Sequence, residues 1–395
     1  YAELYNIAMV SDGKDIANGY FSSQEIVNHF QNQNYPVLYP DVDWYDEILK
    51  PSTIAQEYNF SVNGGTQRTQ YNVLLGFSNT PGLYDGLDGQ NNSNHIYSRY
   101  NARINLDVEI TDWLRTEIKT RGVIGNTRYP VPSTNEIWRS MASFLPYNVT
   151  TPSGRWGGTE GYASNPVARL KQQGYEQRNE RTVDANVKVI ADIPFVDGLS
   201  AYGQVVFSNN YYSFYNKTRG FAYEELYADP MNPTVLDTSI LKGDINQNFS
   251  YAQPSGTQWN RTNMLGGIEY TSVLGDGKLY ASANFLRELY VWSYEVDNVP
   301  MAKSNLFGRV NYSFADKYIA EFGYSYSGTD NYPSEERFGF FPSVSAAWIL
   351  SNESFLSGNQ QITFLKLRAS TGIVGSDRIG GLDRFMFQQW YGSPS

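Results

Sequence analysis

Apolar and polar residues alternate along much of the chain with a period of two. In RINLDVEI, residues 103–110, four aliphatic side chains alternate with four polar ones. The same alternation occurs in YIAEFGYSYSG (318–328) and in FGFFPSVSAAWIL (338–350), where Phe341 and Ile349 interrupt it. Because successive side chains of a β-strand point to opposite faces of the sheet, this pattern predicts strands with one apolar and one polar face.

The pattern predicts about twelve such strands. Most are about ten residues long or slightly longer, which is enough for a tilted strand to cross a hydrocarbon layer. Strands of soluble proteins average only about five or six residues. The predicted strands lie at 56–63, 69–78, 98–110, 113–123, 181–192, 198–208, 257–271, 278–289, 304–314, 318–328, 338–350 and 363–373.

The connections between these strands alternate between short and long. Turns such as NGGTQRT, TD and ADK alternate with long segments such as 79–97, 124–180 and 209–256, although the last link, 351–362, is less distinct. Outer-membrane barrels of the up-and-down type have short periplasmic turns and long outer loops, whereas a Greek-key sandwich has no reason to keep that order. A soluble antiparallel sheet also alternates apolar and polar residues, so the pattern favours a membrane barrel and leaves a soluble sandwich or barrel open.

Composition excludes several classes of protein and site. The chain has 395 residues and a formal charge of −10, which argues against nucleic acid as a partner. It contains no Cys, and therefore no disulfides or thiolate metal sites. The two histidines, His29 and His95, have no catalytic partner nearby in the sequence, and solvation is the simpler interpretation. No segment is apolar over the roughly 18 residues of a transmembrane helix, and the first residues do not resemble a signal peptide.

Several motifs in a fixed order resemble the SusC/RagA family of TonB-dependent outer-membrane transporters. FGFFPSVSAAWILSNESF (338–355) is similar to a barrel strand of that family that reads aromatic-Gly-x-Phe-Pro-Ser before a Trp and an acidic turn. LKLRASTGIVGSDRIGG (365–381) is similar to the strand that follows it. YPDVDWYDEIL (39–49), residues 58–84 and YSRYNARINLDVEITDWL (97–114) look like the first part of the same barrel. The resemblance runs from about residue 36 to the end of the chain.

The resemblance implies an all-β fold, a transmembrane antiparallel up-and-down β-barrel with long extracellular loops and short periplasmic turns. Barrels of such transporters have about 22 strands, so the twelve predicted here would be the second to the thirteenth. We expect residues 1–55 to be the end of an extracellular loop that leads into the barrel. Residues 56–373 would then be barrel strands with loops, and residues 374–395 the start of a further extracellular loop. The plug domain and the last strands of the family are not expected within this chain.

The resemblance also implies a function. Such proteins import bulky nutrients, oligosaccharides or peptides, across the Gram-negative outer membrane without bond chemistry or a cofactor. A SusD-like surface lipoprotein acts as a lid, and TonB supplies energy through a segment that is not expected in this chain. The implied partners are therefore the lipoprotein, TonB, outer-membrane lipid and the cargo, in a 2:2 assembly.

Aromatic residues in the predicted loops are candidates for cargo binding. Aromatic faces stack on the apolar faces of sugars and grip peptide side chains. The alternative is that outer loops pack against one another or against the lid. The candidates are Trp138, Phe144, Tyr147, Trp156, Tyr212, Tyr215 and Trp292. We interpret Trp259 and Trp348, which lie on predicted strands, as part of the aromatic girdles at the membrane surface.

Charged residues alternate with apolar ones on the predicted strands and should face the lumen. They could form a polar track for cargo or hold a plug, and the alternative is a hydrated wall of paired charges. These residues are Arg103, Asp107, Glu109, Arg115, Glu117, Arg121, Lys366 and Arg368.

Acidic residues in two loops have the oxygen ligands that Ca²⁺ prefers. Their spacing matches no fixed calcium-binding motif, so turn residues in contact with water are the alternative. The candidates are Asp41, Asp43, Asp46, Asp85 and Asp88.

Two other functions remain open from the residues themselves. A β-rich glycan-active enzyme would need two carboxylates facing each other across a cleft, and the sequence singles out no such pair. A surface adhesin would bind without transport and would not depend on TonB.

Overall fold

A computed structural model describes most of the chain. It covers residues 2–18, 21–85, 94–143, 147–161, 163, 165–229, 231–244, 248–252, 254–293, 300–356 and 358–377. Five α-helices lie in this part of the chain: α1 Ala2–Ser11, α2 Gln24–Asn32, α3 Trp44–Ile48, α4 Thr134–Ser143 and α5 Pro166–Gln172. Within the described ranges, no helix combines the length and apolarity needed to cross a membrane.

Two sheets contain the strands. The large sheet runs in the order β1-β2-β3-β4-β6-β7-β11-β12-β13-β14-β15-β16, with β10 also paired to β7, and the small sheet has the order β5-β8-β9. Every pair of neighbours in the large sheet is antiparallel. The strands are β1 Gln56–Gly65, β2 Thr69–Pro81, β3 Ile96–Thr111, β4 Leu114–Pro130, β5 Trp156–Gly157, β6 Gly174–Asp192, β7 Leu199–Thr218, β8 Ala222–Asp229, β9 Asn232–Gly243, β10 Ser250–Tyr251, β11 Ser255–Leu274, β12 Gly277–Trp292, β13 Met301–Phe314, β14 Tyr318–Thr329, β15 Phe338–Ile349 and β16 Lys366–Gly372.

The structure confirms the predicted antiparallel fold, and each of the twelve predicted strands corresponds to a strand of the large sheet. Several strands extend further at their loop ends than predicted. Strand β6 begins at Gly174 and β7 ends at Thr218, and these two residues pair directly. The alternation gave no signal there because both faces of this part of the hairpin carry polar or aromatic residues.

The predicted loops 124–180 and 209–256 contain more structure than the sequence indicated. Helices α4 and α5 and strand β5 lie in the first, and strands β8, β9 and β10 lie in the second. The pairing of β5 with β8 joins the two loops, since Trp156 pairs with Tyr223. A contact between residues so far apart in sequence has no local pattern that could predict it.

The register separates the large sheet into two faces, because directly paired residues of an antiparallel sheet share a face. One face carries Ile104, Leu106 and their neighbours, and we call it the apolar face. The other carries Arg103 and its partner Arg121, and we call it the polar face. Large side chains of the apolar face remain exposed along the whole sheet, among them Phe60, Leu75, Ile104, Val187, Phe285, Phe322 and Val344.

One row of direct pairs shows that successive strands are displaced along their axes. The row begins at Gly64, next to the turn at the end of β1, and ends at Phe338, the first residue of β15, on the loop side. Neighbouring strands are therefore strongly offset along their axes, and the strands must tilt relative to any common axis. The row contains Gly64, Tyr71, Leu106, Ile118, Val187, Val205, Met264, Arg287, Ser304, Gly328 and Phe338.

The principal buried core lies at the loop ends of the strands and not beneath the large sheet. Helices α3, α4 and α5 pack around it, and the small sheet joins them through β5. We call α3, α4, α5 and the small sheet the loop module. Its buried core side chains are Trp44, Ile48, Tyr84, Ile137, Met141, Tyr147, Val167 and Leu170. A smaller cluster around Phe21 and Val27 joins α1 to α2.

Candidate functional site

The charged residues predicted to face a lumen lie on the polar face. Arg103 pairs with Arg121, Asp107 with Glu117, and Glu109 with Arg115 across β3 and β4. On β16, Lys366 and Arg368 pair with Ile349 and Ala347 of β15, on the same face as Ser345 and its partner Glu321.

Neighbouring charges on this face form ion pairs between and along strands. Arg121 Nη2 lies 2.8 Å from Asp184 Oδ2, Lys119 Nζ lies 2.8 Å from Glu117 Oε2, and Arg115 Nη1 lies 3.5 Å from Asp192 Oδ2. These side chains are mostly half exposed, so each pair contributes only about 0–1 kcal/mol to stability. The arrangement suits a hydrated wall of paired charges that remain accessible to solvent.

An aromatic cluster occupies the polar face where β11 and β12 reach the loops. Trp259 pairs directly with Trp292, and the ring centroids of Trp259 and Tyr290 are 6.1 Å apart. Arg261 lies beside them, with its guanidinium carbon 5.3 Å from the centroid of Tyr290 and its Nε 3.9 Å from Glu288 Oε2. We call Trp259, Tyr290 and Trp292 the mouth cluster. It combines flat apolar surfaces with hydrogen-bonding charge, the chemistry that sugars and peptides require.

The assignment of Trp259 to an outer girdle is wrong. It is two residues from Arg261 on the same strand and therefore shares the polar face. Trp348 does lie on the apolar face, where its ring stacks on Tyr318 with centroids 6.3 Å apart. Sequence reasoning missed Tyr290, although its two-residue spacing from Trp292 was a usable signal.

The two candidate tyrosines of β7 lie on opposite faces. Tyr212 pairs with Glu180 on the polar face, next to the mouth cluster, whereas Tyr215 pairs with Gln177 on the other face. The ring of Tyr215 contacts that of Tyr175 edge to face, with centroids 6.4 Å apart. The two residues therefore cannot contact the same ligand.

The aromatic candidates of the loop module differ in exposure. Tyr147 is 5% exposed and lies against Trp44, so it packs in the core and is not accessible to a ligand. Trp156 is half-buried against the same core. Trp138 is 45% exposed and its ring centroid is 6.0 Å from that of Tyr45, an exposed residue that sequence reasoning missed. Phe144 lies outside the described residues.

Ionised carboxylates hold the small sheet in the loop module. Hydrogen bonds from Ser153 and Thr151 lower the pKa of Glu224. Burial raises the pKa of Glu225, but hydrogen bonds from Lys242 and Tyr227 outweigh burial, and the net pKa is lowered. The distance from Lys242 Nζ to Glu225 Oε2 is 2.7 Å. Both carboxylates are therefore structural anions, and neither has the raised pKa of a general acid.

The calcium candidates do not form a donor set among the residues that the structure describes. The carboxylate of Asp43 caps helix α3 by accepting a hydrogen bond of 2.8 Å from the backbone N–H of Tyr45. Within those ranges, no group of three or more His, Cys, Asp or Glu could hold a metal ion. Asp88 lies outside them, so the calcium hypothesis stays a prediction.

Comparison with known proteins identifies relatives among TonB-dependent receptors. The chain is 23% identical to TonB-dependent receptor SusC of Bacteroides thetaiotaomicron over 89% of its own length and 36% of that protein. It is 25% identical to TonB-dependent receptor P3 of Formosa agariphila over 88% of its own length and 35% of that protein. The chain thus spans about a third of the length of the curated relatives that it matches. No protein-family model matches the sequence.

Solved structures show the same fold. The structure of the RagAB peptide transporter superposes on 92% of this chain and 43% of its own, with a TM-score of 0.62 at 16% sequence identity. The RagAB peptide importer in its "closed-closed" state superposes on 84% of this chain and 38% of its own, with a TM-score of 0.60. By sequence and fold together, the chain is SusC/RagA-like, and it aligns with about a third of the length of the TonB-dependent receptors named here.

Proposed function

We propose that this chain is part of a TonB-dependent importer that carries bulky nutrients, oligosaccharides or peptides, across the Gram-negative outer membrane. The observation that carries the proposal is the separation of the large sheet into an exposed apolar face and an ion-paired polar face. In water, each Å² of the apolar face left uncovered would cost about 25 cal/mol of folding free energy. In a membrane, the same face contacts lipid and the polar face lines a hydrated lumen.

The edges of the sheet support a larger barrel. Strands β1 and β16 stand at the two ends of the described strand order. In lipid, an unpaired edge leaves backbone groups without hydrogen-bond partners, and only closure of the sheet removes this cost. Further strands of the full protein would therefore complete the barrel.

The mouth cluster is the proposed cargo contact. It lies on the polar face at the loop ends of β11 and β12, where a solute would enter a lumen lined by that face. Trp259 and Trp292 offer stacking surfaces, and Arg261 and Glu288 offer a donor and an acceptor for hydroxyl or amide groups. The RagAB structures are described as a peptide transporter and a peptide importer, which supports a peptide cargo, and stacking surfaces with hydrogen-bonding groups suit an oligosaccharide as well.

The loop module is the proposed seat of a SusD-like lipoprotein lid. It packs around a buried core of its own, and it leaves Tyr45 and Trp138 exposed at its surface. Exposed aromatic residues on a rigid support are typical contacts of protein interfaces. TonB would act through another part of the full protein, and the resemblance supports a 2:2 assembly of transporter and lid.

Uptake measurements in the host distinguish this function from its rivals. We expect uptake of a fluorescent oligosaccharide or peptide to require both the full receptor and an intact TonB system. The double variant Trp259→Ala/Trp292→Ala should lower uptake about tenfold or more, because each lost stacking contact contributes about 0.5–1.5 kcal/mol. Trp348→Ala, on the apolar face, is the matched control and should leave uptake nearly unchanged.

Two results would count against the importer, and a third would count against the mouth cluster alone. If deletion of the TonB system leaves the amount of fluorescent ligand bound to the cells unchanged, the protein is an adhesin. Release of shortened products by the purified protein indicates an enzyme. Equal uptake by the double variant and by the control removes the mouth cluster from cargo binding.

A further inference from the structure

Cations replace apolar residues on the apolar face at its loop-side boundary. On β6, the apolar face carries Val183 and, two residues nearer the loops, Arg181, which pairs with Ile124 of β4. Two further cations follow on the same face. Arg128 lies on β4 opposite Gln177, and Lys217 lies on β7 opposite Tyr175.

This boundary carries a single sign of charge in an acidic protein. Three strands can be followed towards the loops, from Ile124 on β4, from Arg181 on β6 and from Asn209 on β7. Beyond Ile124, the residues of the apolar face on these strands are all Asn, Gln, Ser, Tyr, Pro or cations. No acidic residue occupies these positions, although the chain has a net charge of −10. The three cations, Arg128, Arg181 and Lys217, therefore lie on the loop side of the apolar band, and Arg181 is the one directly beside it.

An apolar groove lies next to Arg181. Its floor is formed by Ala102 and Gly122, which pair directly and have almost no side-chain volume. Phe60 and Leu75 stand on one side of this floor and Val183 on the other, and Arg181 lines the loop-side end. The groove has a volume of about 690 Å³, within the range of about 300–1,000 Å³ that is typical of small-molecule sites.

The cations differ in how they are held. Arg128 donates a hydrogen bond of 3.1 Å to Gln177 Oε1 and lies 4.5 Å from the ring centroid of Tyr175. Lys217 lies over the rings of Phe249 and Tyr251. Arg181 is exposed, and in the part of the chain that the structure describes no carboxylate lies within ion-pair distance of it. Arg181 is therefore available to an anionic group at the end of the groove.

We infer that the groove binds an acyl chain of a phosphorylated lipid of the outer leaflet, with Arg181 on the lipid phosphate. A planar guanidinium binds phosphate oxygens through two parallel hydrogen bonds, and the apolar floor accepts the hydrocarbon. A second copy of the chain is a poorer occupant, because a two-fold contact would bring the same cations together. The inference rests on the outer-membrane location proposed above.

Lipid retained by the purified receptor tests the site. The full-length receptor is extracted from outer membranes in a mild detergent, and bound lipid is counted by native mass spectrometry and by phosphate analysis. Arg181→Gln removes the anion contact. Gly122→Leu places a side chain in the groove, and a Cβ at Gly122 meets no heavy atom within 4 Å. We expect either change to reduce retained lipid about tenfold.

Two matched controls keep the test specific. Arg103→Gln removes an arginine from the polar face of neighbouring β3. Gly203→Leu adds the same side chain to an equally open position of the apolar face outside the groove. Both should retain lipid like the unchanged receptor.

The outcomes separate the inference from the proposed function. Absence of the receptor from the outer-membrane fraction contradicts the location itself. A receptor in that fraction that retains equal lipid in all variants overturns the lipid site. A change in oligomeric state with Gly122→Leu, without loss of lipid, assigns the groove to contact between copies and likewise overturns it.

Discussion

Replacing Asn165 with alanine should loosen the loop module while leaving the large sheet intact. Asn165 is fully buried and makes four hydrogen bonds with its side chain. Its Nδ2 donates to the carbonyl oxygens of Val149 (3.1 Å) and Gly157 (2.9 Å). Its Oδ1 accepts from the N–H groups of Val167 (3.1 Å) and Ala168 (3.0 Å), which begin helix α5. One amide thus joins the segment of β5 to helix α5.

The loss can be estimated from these contacts. Removing an N-cap costs about 0.5–2 kcal/mol, and each buried carbonyl left without a donor costs about 1–3 kcal/mol. One cap and two carbonyls together give about 2.5–8 kcal/mol. Water can enter the space that the side chain leaves, so we expect the module to lose about 3–5 kcal/mol of stability, in the lower part of that range. Asn165→Asp keeps the cap and loses both donors, and it should have an intermediate effect.

Hydrogen–deuterium exchange measures this loss locally. A change of about 3 kcal/mol raises the exchange rate of amides that open with the module by more than about a hundredfold. The affected amides should lie in residues 147–173, while those of β6 and β7 keep their protection. Asn148→Ala, which removes one exposed hydrogen bond of 2.6 Å to Val37 O, is the control. Unchanged exchange in Asn165→Ala, or equal loss in the large sheet, would refute the reasoning.

Three further predictions address the turn after β15, the polar face and the loop module. Hydrogen bonds from Tyr318, Trp348 and Lys317 lower the pKa of Glu353 to about 2 from an ordinary 4.5. The ionised carboxylate therefore stabilises the turn above pH 4.5, and this stabilisation is lost as the pH falls towards 2. Glu353→Gln should remove the acid-induced change in tryptophan fluorescence. Arg121→Gln should change the free energy of unfolding by less than about 1 kcal/mol but alter uptake, and a large stability loss would contradict a hydrated wall. Trp138→Ala should weaken co-purification of the proposed lid lipoprotein without changing exchange in the module, and undiminished co-purification would exclude Trp138 from that interface.

Strand positions could be predicted from the sequence because a sheet with one apolar and one polar face requires alternating residue types along each strand. The alternation of Ile104, Leu106 and Val108 with polar residues fixes both the strand and its faces. The same rule applied to Trp259 and Arg261 would have placed Trp259 on the polar face. A tryptophan on a strand suits a girdle by its residue type, but its parity along the strand decides which face it occupies.

The loop module left weaker signals. Asn165 followed by Pro166 is a recognisable helix start, with Pro at the first helical position, and it could have indicated α5. The adjacent Trp44 and Tyr45 of α3 gave no sign of which would be buried. The junction of β5 with β8 depends on the approach of two distant loops, so it could be found only from the structure.

The displacement of successive strands, seen in the row from Gly64 to Phe338, determines the calibre of any tube that the sheet forms. In a closed sheet, strand number and axial offset together set the radius, and neither depends on the connections at the loop ends. Exchange of the loop module between relatives should therefore alter what is recognised at the entrance without widening or narrowing the bore. A one-residue slip of the whole of β6 against its neighbours would have the opposite effect, because it would turn Val183 and Val187 to the polar face and disturb the bore while leaving the entrance unchanged.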